Sequence, residues 1–175
     1  DFVTLSVQNP DVTEEKIRQA VTDCLGSIGV PVNNCVLGVR SCRGFKEHGP
    51  GAYVFFDKSM VYYVGESSDI ANRLREHCTA SIGGSEGVVR FFMYYLDEIC
   101  SKREEWGKRD AVGREDFVKD VLREKIIGLK IFVVLCGELA DKREGGRVKN
   151  RLRIALEDCL VNKLRPALQQ EPYWH

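Results

Sequence analysis

Two tyrosines, an arginine and a histidine are regularly spaced along one short segment of the chain. Tyr63 follows Tyr53 by ten residues, Arg73 follows Tyr63 by ten, and His77 follows Arg73 by four. A spacing of four places two side chains on the same face of a helix, so we expect Arg73 and His77 to point in one direction. The forked guanidinium of arginine suits phosphate oxygens, and tyrosine and histidine can transfer protons. The segment is therefore a candidate for chemistry on a phosphate group.

A glutamate far downstream completes a pattern with this segment. The tyrosines lie in the triplets GAY, from residue 51, and YVG, from residue 63, and Glu157 lies in the sequence RIALEDCLVNKLRPALQ. Together with Arg73 and His77, this ordered set resembles the GIY-YIG nuclease family. Members of that family carry two tyrosine motifs on neighbouring strands, an arginine on the following helix and a metal-binding glutamate on a later helix. The resemblance covers residues 51–77 and 129–169.

The resemblance implies a DNA endonuclease that uses one divalent cation, Mg²⁺ or Mn²⁺, in each active site. Glu157 then supplies hard oxygen ligands to the cation, and Arg73 binds the phosphate. Tyr53 is the expected general base, with Tyr63 helping to orient the attacking water. A phenol has a pKa of about 10, so Arg73 or the metal has to lower it. For His77 two roles stay open, proton relay and phosphate contact, and the sequence does not decide which of Tyr53, Tyr63 and His77 is the base.

Two departures from the family pattern support an alternative function. Glu66 stands where several members carry a lysine, which removes a cation that would contact phosphate. Gln169 stands where many carry an asparagine, which changes the hydrogen bonding expected around Glu157. We expect Gln169 and Gly65 to support the catalytic residues without touching the substrate. The alternative is a nucleic-acid-binding or protein-interaction module that has kept the fold and lost the chemistry. In a third interpretation the motif is coincidental, and Glu157 lies far from Tyr53.

A basic stretch leads into the segment that contains Glu157 and is the predicted nucleic-acid-binding surface. Its members are Arg147, Lys149, Arg151 and Arg153, preceded by Lys142 and Arg143. A local patch can bind the phosphate backbone although the chain as a whole has a net charge of +0. For any one residue, a solvated helix face is an equally good explanation. The expected partner is double-stranded or branched DNA. The expected role is restriction-like cleavage or structure-specific repair. The active species is a monomer, or a homodimer in which each copy cuts one strand.

Hydrophobic periodicity predicts a mixed α/β (α+β) fold in a single domain of 175 residues. A hairpin of residues 51–56 and 61–65 and an apolar strand at 129–136 predict a small, mostly antiparallel, three-stranded sheet flanked by helices. The sequence CVLGVRSC, from residue 35, is a strand or an extended segment. Asp11 and Thr13 mark the start of an amphipathic helix. The last predicted helix runs from about residue 147 to 164.

These elements divide the chain into a core and two additions. We expect a nuclease core at residues 50–78 and 128–170, an N-terminal extension at 1–48, and a charged helical insertion at 79–127. The glycine-rich connection at residues 81–87 is expected to be a loop, with a helix beginning near Val89.

Cysteine usage and hydropathy predict an intracellular protein. The seven cysteines are odd in number and scattered, so we expect reduced thiols in the core rather than a disulfide framework or a zinc site. The longest apolar run, at residues 131–136, is too short to cross a membrane, and the first residues carry no signal pattern. The expected location is the cytoplasm, nucleoid or nucleus, without secretion or membrane association.

Overall fold

The computed structural model describes residues 12–83 and 85–170. Asp11, the predicted helix-start residue, lies outside the described residues. The helices are α1 Val12–Ser27, α2 Ile70–Cys78, α3 Glu86–Tyr94, α4 Leu96–Ser101, α5 Arg103–Gly107, α6 Ala111–Ile127 and α7 Arg151–Leu164. The strands are β1 Cys35–Arg40, β2 Gly51–Phe56, β3 Val61–Ser67, β4 Lys130–Cys136, β5 Lys142–Glu144 and β6 Arg147–Lys149. Short 3-10 helices lie at Val32–Asn34, Gly137–Leu139 and Ala167–Gln169.

The main sheet is antiparallel and has the strand order β1-β4-β2-β3. The mixed α+β prediction is confirmed, but the sheet has four strands where the sequence predicted three. The fourth is β1, which pairs with β4 along its length, from Cys35 opposite Cys136 to Arg40 opposite Ile131. An edge strand is only partly buried, so the apolar pattern of CVLGVR is weak and its pairing partner decides its conformation.

Helices cover both faces of the sheet, and each face has its own core. Side chains of a strand alternate between the faces, so Ala52 and Val54 point to one core while Tyr53 and Phe55 point to the other. The first core is closed by α1 and α7 and includes Ile17, Val21, Leu25, Leu156 and Leu160. The second is closed by α2, α3 and α6 and includes Leu74, Phe91, Leu122 and Ile126. The predicted insertion is therefore helical, and through α3 and α6 it completes the second core.

Six of the seven cysteines are paired, so the prediction of reduced core thiols is wrong for these six. Disulfides join Cys24 to Cys159, Cys35 to Cys136, and Cys42 to Cys78. Cys100 is exposed and unpaired. The paired residues are 135, 101 and 36 positions apart, distances at which the linear sequence carries no pairing signal.

The sequence also predicted a protein without membrane association. No helix in the described ranges, 12–83 and 85–170, is long and apolar enough to cross a bilayer.

Candidate active site

A pocket opens beside β3, the strand at one edge of the main sheet. It has a volume of about 290 Å³ and is bordered by β2, β3, α2, the beginning of α3, and α7. Its lining residues are Tyr53, Tyr63, Glu66, Arg73, His77, Ser85, Glu86, Gly87 and Glu157. The five predicted catalytic residues all belong to this set, although Glu157 lies far from the others in sequence. The arrangement that would mark the motif as coincidental, with Glu157 remote from Tyr53, is not the one observed.

Tyr53 and His77 are joined by a buried hydrogen bond, with 3.3 Å between the Tyr53 Oη and the His77 Nε2. The other ring nitrogen, Nδ1, lies 2.9 Å from the main-chain carbonyl oxygen of Arg73. A carbonyl oxygen can only accept, so Nδ1 carries the proton, and Nε2 of neutral His77 accepts a hydrogen bond from the Tyr53 hydroxyl. Both ring nitrogens of His77 are thus engaged and the residue is 0% exposed, which leaves no free ring N–H for a phosphate.

Burial controls the protonation of this pair. Desolvation lowers the pKa of His77 to about 4, and the imidazole stacks on the Phe55 ring with 5.5 Å between centroids. Desolvation, and then the neighbouring Tyr63, raise the pKa of Tyr53 well above its ordinary value, outweighing the lowering effect of Arg73. Burial likewise raises the pKa of Tyr63 to about 12. Arg73 alone therefore does not make Tyr53 a phenolate, and the neutral pair is the resting form.

Neutral, buried His77 is expected to make stability depend on pH. Its pKa is about 4 in the folded protein and 6.5 ordinarily, so between these values the unfolded chain binds more protons and the free energy of unfolding falls as the pH falls. The total loss is about 3 kcal/mol. Glu157 acts oppositely in the same range, because its folded pKa is raised to about 7. Urea unfolding at pH 4.5 to 8 should compare Glu157→Gln with Glu157→Gln/His77→Gln. The difference between the two variants gives the contribution of His77 to the pH dependence of the free energy of unfolding. Equal pH slopes in the two variants would contradict a buried neutral His77.

Two glycines leave the space that the Tyr53 and His77 rings occupy. Gly65 lies directly across from Tyr53 in the β2-β3 pair, and a Cβ at Gly65 would be 2.3 Å from the Tyr53 Oη. A Cβ at Gly87, in the first turn of α3, would be 2.3 Å from the His77 Nε2. Real carbon atoms do not approach this closely, so both positions exclude any larger residue. Gly65 therefore leaves room for the Tyr53 ring beside the pocket.

Gly65→Ala is expected to destabilise the protein by about 1–3 kcal/mol, since the buried Tyr53 ring has to move to admit the methyl group. The displaced Tyr53 hydroxyl should also lose its hydrogen bond to His77. Urea unfolding measures the first effect. Gly26→Ala in α1 is the matched control, since a Cβ there meets nothing within 4 Å, and it should be neutral or stabilising. Equal stability of Gly65→Ala and Gly26→Ala would contradict the close packing of the Tyr53 ring against Gly65.

Glu157 enters the pocket from α7 with its carboxylate partly buried. Desolvation, followed by the negative charges of Glu66 and Asp158, raises its pKa to about 7. A carboxylate that ionises only at a cost gains from a nearby cation, and its hard oxygens suit Mg²⁺ or Mn²⁺. No group of three or more His, Cys, Asp or Glu in the described part of the chain is arranged to hold a metal. The chemistry of the Glu157 carboxylate is therefore compatible with a hard divalent cation, for which Glu157 would be one ligand.

Arg153 does not lie on a nucleic-acid-binding surface, which corrects the prediction. It is 4% exposed and forms ion pairs with Glu66 and Asp141, and its Nη1 also donates to the Leu139 carbonyl at 3.0 Å. On α7 it precedes the buried Leu156 by three residues, the spacing of an inward-facing helix position. Glu66 therefore serves as the partner of a buried arginine. The remaining predicted contacts, Arg147, Lys149 and Arg151, are exposed or partly exposed.

Gln169 supports the site in a way that the sequence did not suggest. Its side-chain amide accepts from the Val64 N–H and donates to the Val64 carbonyl, both at 2.8 Å. These are main-chain groups of an edge strand, directly after Tyr63, which lines the pocket. The glutamine side chain thus replaces a neighbouring strand at this point and holds β3 in register beside the pocket.

The pocket residues at the start of α3 were not predicted from the sequence. Residues 81–87 were expected to be a loop, but α3 begins at Glu86, and the Ser85 side chain caps it by accepting from the Val88 N–H. A serine followed by an acidic residue is a helix-start signal and would have placed this end correctly. The beginning of α3 therefore forms one wall of the pocket, where the partial positive charge of a helix N-terminus favours anions.

Comparison with known proteins gives no family for this chain. No protein-family model, no curated protein and no solved structure matches it. A functional assignment therefore depends on the motif residues and on the geometry of the pocket.

Proposed function

We propose that this protein is a GIY-YIG-type endonuclease that hydrolyses DNA phosphodiester bonds with one divalent cation and a tyrosine-histidine proton relay. The observation that carries the proposal is the convergence of Tyr53, Tyr63, Arg73, His77 and Glu157 on one pocket. Fold and burial alone explain the tyrosine rings. They do not explain a partly buried carboxylate and a guanidinium lining the same polar cavity.

Arg73 binds the scissile phosphate. Its guanidinium lines the pocket, is 36% exposed, and has one ion-pair partner on its own helix, Glu76, at 3.2 Å. Such an exposed pair contributes little to stability, so a phosphate can replace Glu76 at small cost. The planar fork of the guanidinium then stabilises charge on two phosphoryl oxygens.

Glu157 is the residue that would hold the metal, Mg²⁺ or Mn²⁺. When bound, the cation stabilises negative charge on the phosphoryl group and on the departing oxygen. The raised pKa of Glu157 supports this role, because a bound cation would favour the ionised carboxylate that burial and the charges of Glu66 and Asp158 disfavour.

Tyr53 activates the water by relaying a proton. As the water oxygen attacks phosphorus, its O–H bond breaks, its proton passes to the Tyr53 Oη, and the Tyr53 proton passes to the Nε2 of His77. The bond from phosphorus to the leaving oxygen breaks, and solvent protonates that oxygen. The relay avoids a buried phenolate, whose formation the high pKa of Tyr53 opposes. The negative charge of the bound phosphate favours the imidazolium that His77 becomes.

The direct test is cleavage of supercoiled plasmid and of branched oligonucleotides in Mg²⁺ or Mn²⁺, with EDTA as the control. We expect metal-dependent nicking or linearisation, and the preferred substrate distinguishes a restriction-like role from a structure-specific repair role. If a folded, DNA-binding protein cuts neither substrate, the function is that of the alternative, a binding module without catalysis. Light scattering of the DNA complex then tests whether the active species is a homodimer.

A further inference from the structure

A small hairpin projects from the protein immediately before the helix that carries Glu157. Strands β5 and β6 pair only with each other, and their residues are exposed except for the partly exposed Lys149. The two-residue turn is Gly145-Gly146, both with positive φ, as in the tight turns that join twisted strands. Residues 142–151 contain five basic side chains and one acidic one.

The hairpin gains little from its own contacts. An isolated two-stranded ribbon is marginally stable at best, and Lys142 lies directly opposite Lys149, a like-charge pair that destabilises it. Lys149 pairs with Glu144, but Lys142, Arg143 and Arg147 have no ion-pair partner among the described residues. The cations are therefore available to an external anion, and a polyanion would relieve their mutual repulsion.

The hairpin is tied to the pocket by Arg153. This buried residue pairs with Asp141, which directly precedes β5, and with Glu66, which lines the pocket. At the other end, α7 starts at Arg151, about 9 Å along the helix axis from Glu157. That distance corresponds to about three base pairs of a duplex. The ribbon thus lies beside the place where the scissile phosphate would bind.

We propose that this hairpin enters the major groove of double-stranded DNA next to the cleavage site, an inference that rests on the proposed function in taking DNA as the substrate. Three residues of a strand extend about 10 Å, which matches the depth of that groove, about 8.5 Å, and its width admits a two-stranded ribbon. Arg143 and the 59% exposed Val148 share one face of the ribbon, opposite each other. An apolar side chain there suits the methyl group of thymine, which the major groove presents. The deep, narrow major groove of an RNA duplex does not admit a ribbon.

The test measures binding, independently of cleavage, in a Glu157→Gln background. The hairpin variant is Lys142→Gln/Arg143→Gln/Arg147→Gln, and the matched control removes three exposed charges elsewhere, Lys16→Gln/Lys58→Gln/Arg103→Gln. Affinity for a 30-base-pair DNA duplex should fall roughly tenfold to a hundredfold in the hairpin variant, and its log-log salt slope should shrink by about 2 to 3. Affinity for the RNA duplex of the same sequence should change as little as in the control.

Two results would overturn the groove assignment: equal DNA affinity of the hairpin and control variants, or an equal loss for DNA and RNA duplexes. Failure of the nuclease proposal would look different, as an absence of cutting by the unmodified protein with the hairpin effect on binding intact.

Discussion

Tyr53→Phe is expected to slow DNA cleavage about a thousandfold while leaving DNA affinity unchanged. The substitution removes only the hydroxyl oxygen that, in the proposed relay, links the attacking water to His77, and the ring keeps its buried position. The Nε2 of His77 is left without its donor, so the free energy of unfolding should fall by about 1–3 kcal/mol. Single-turnover cleavage under saturating enzyme separates the chemical step from binding, and urea unfolding measures the stability.

Tyr62→Phe is the matched control for this prediction. Tyr62 lies on β3 and donates a 2.7 Å hydrogen bond to Asp57, but it does not line the pocket. Its loss should cost stability without a comparable loss of cleavage rate. Similar cleavage rates for Tyr53→Phe and Tyr62→Phe would contradict the proposed relay. A much larger loss of rate in Tyr63→Phe than in Tyr53→Phe would indicate that Tyr63 is the base.

The Cys24→Ser/Cys159→Ser variant is expected to lose about 4 kcal/mol of stability. The disulfide joins α1 to α7 across a sequence separation of 135, and long closed loops restrict the unfolded chain most. It also holds α7 at a point two residues from Glu157, so cleavage should become more heat-sensitive. Non-reducing urea unfolding gives the stability, and Cys100→Ser, which removes an exposed unpaired thiol, is the control and should behave like the unmodified protein. A double variant as stable as that control would contradict the prediction.

The pairing itself is checked by alkylation and mass spectrometry. Denatured, unreduced protein should take up one alkyl group, at Cys100, and reduced protein should take up seven. Seven groups without reduction would mean that the thiols are free in the purified protein.

Local patterns predicted the parts of the fold that depend on neighbouring residues. The β2-β3 hairpin and β4 were expected because short valine-rich and aromatic runs with a turn between them have few other conformations. The set of candidate catalytic residues was expected from the resemblance to the GIY-YIG family, and the structure places all of it in one pocket. Arg153 was wrongly predicted to bind nucleic acid, because the prediction used its charge and not its position on α7, three residues before the buried Leu156.

The features that the sequence did not predict depend on contacts between residues far apart in the chain. Neither the pairing of β1 with β4 nor the three disulfides leaves a trace in a single sequence, since each depends on two segments far apart. The same holds for Gln169, whose amide replaces a strand at Val64. The pKa of Tyr53 was expected to be lowered by Arg73 or the metal, but burial, which only the folded structure reveals, outweighs the effect of Arg73.

Cleavage by Glu157→Gln and by Asp158→Asn tests the central claim most directly. The two variants remove adjacent carboxylates on α7, one lining the pocket and one exposed. The account predicts that Asp158→Asn nicks plasmid in Mg²⁺ like the unmodified protein, whereas Glu157→Gln binds the same DNA and cuts it at least a thousandfold more slowly. Glu157→Gln cutting at the unmodified rate would contradict the claim that this pocket is the nuclease site.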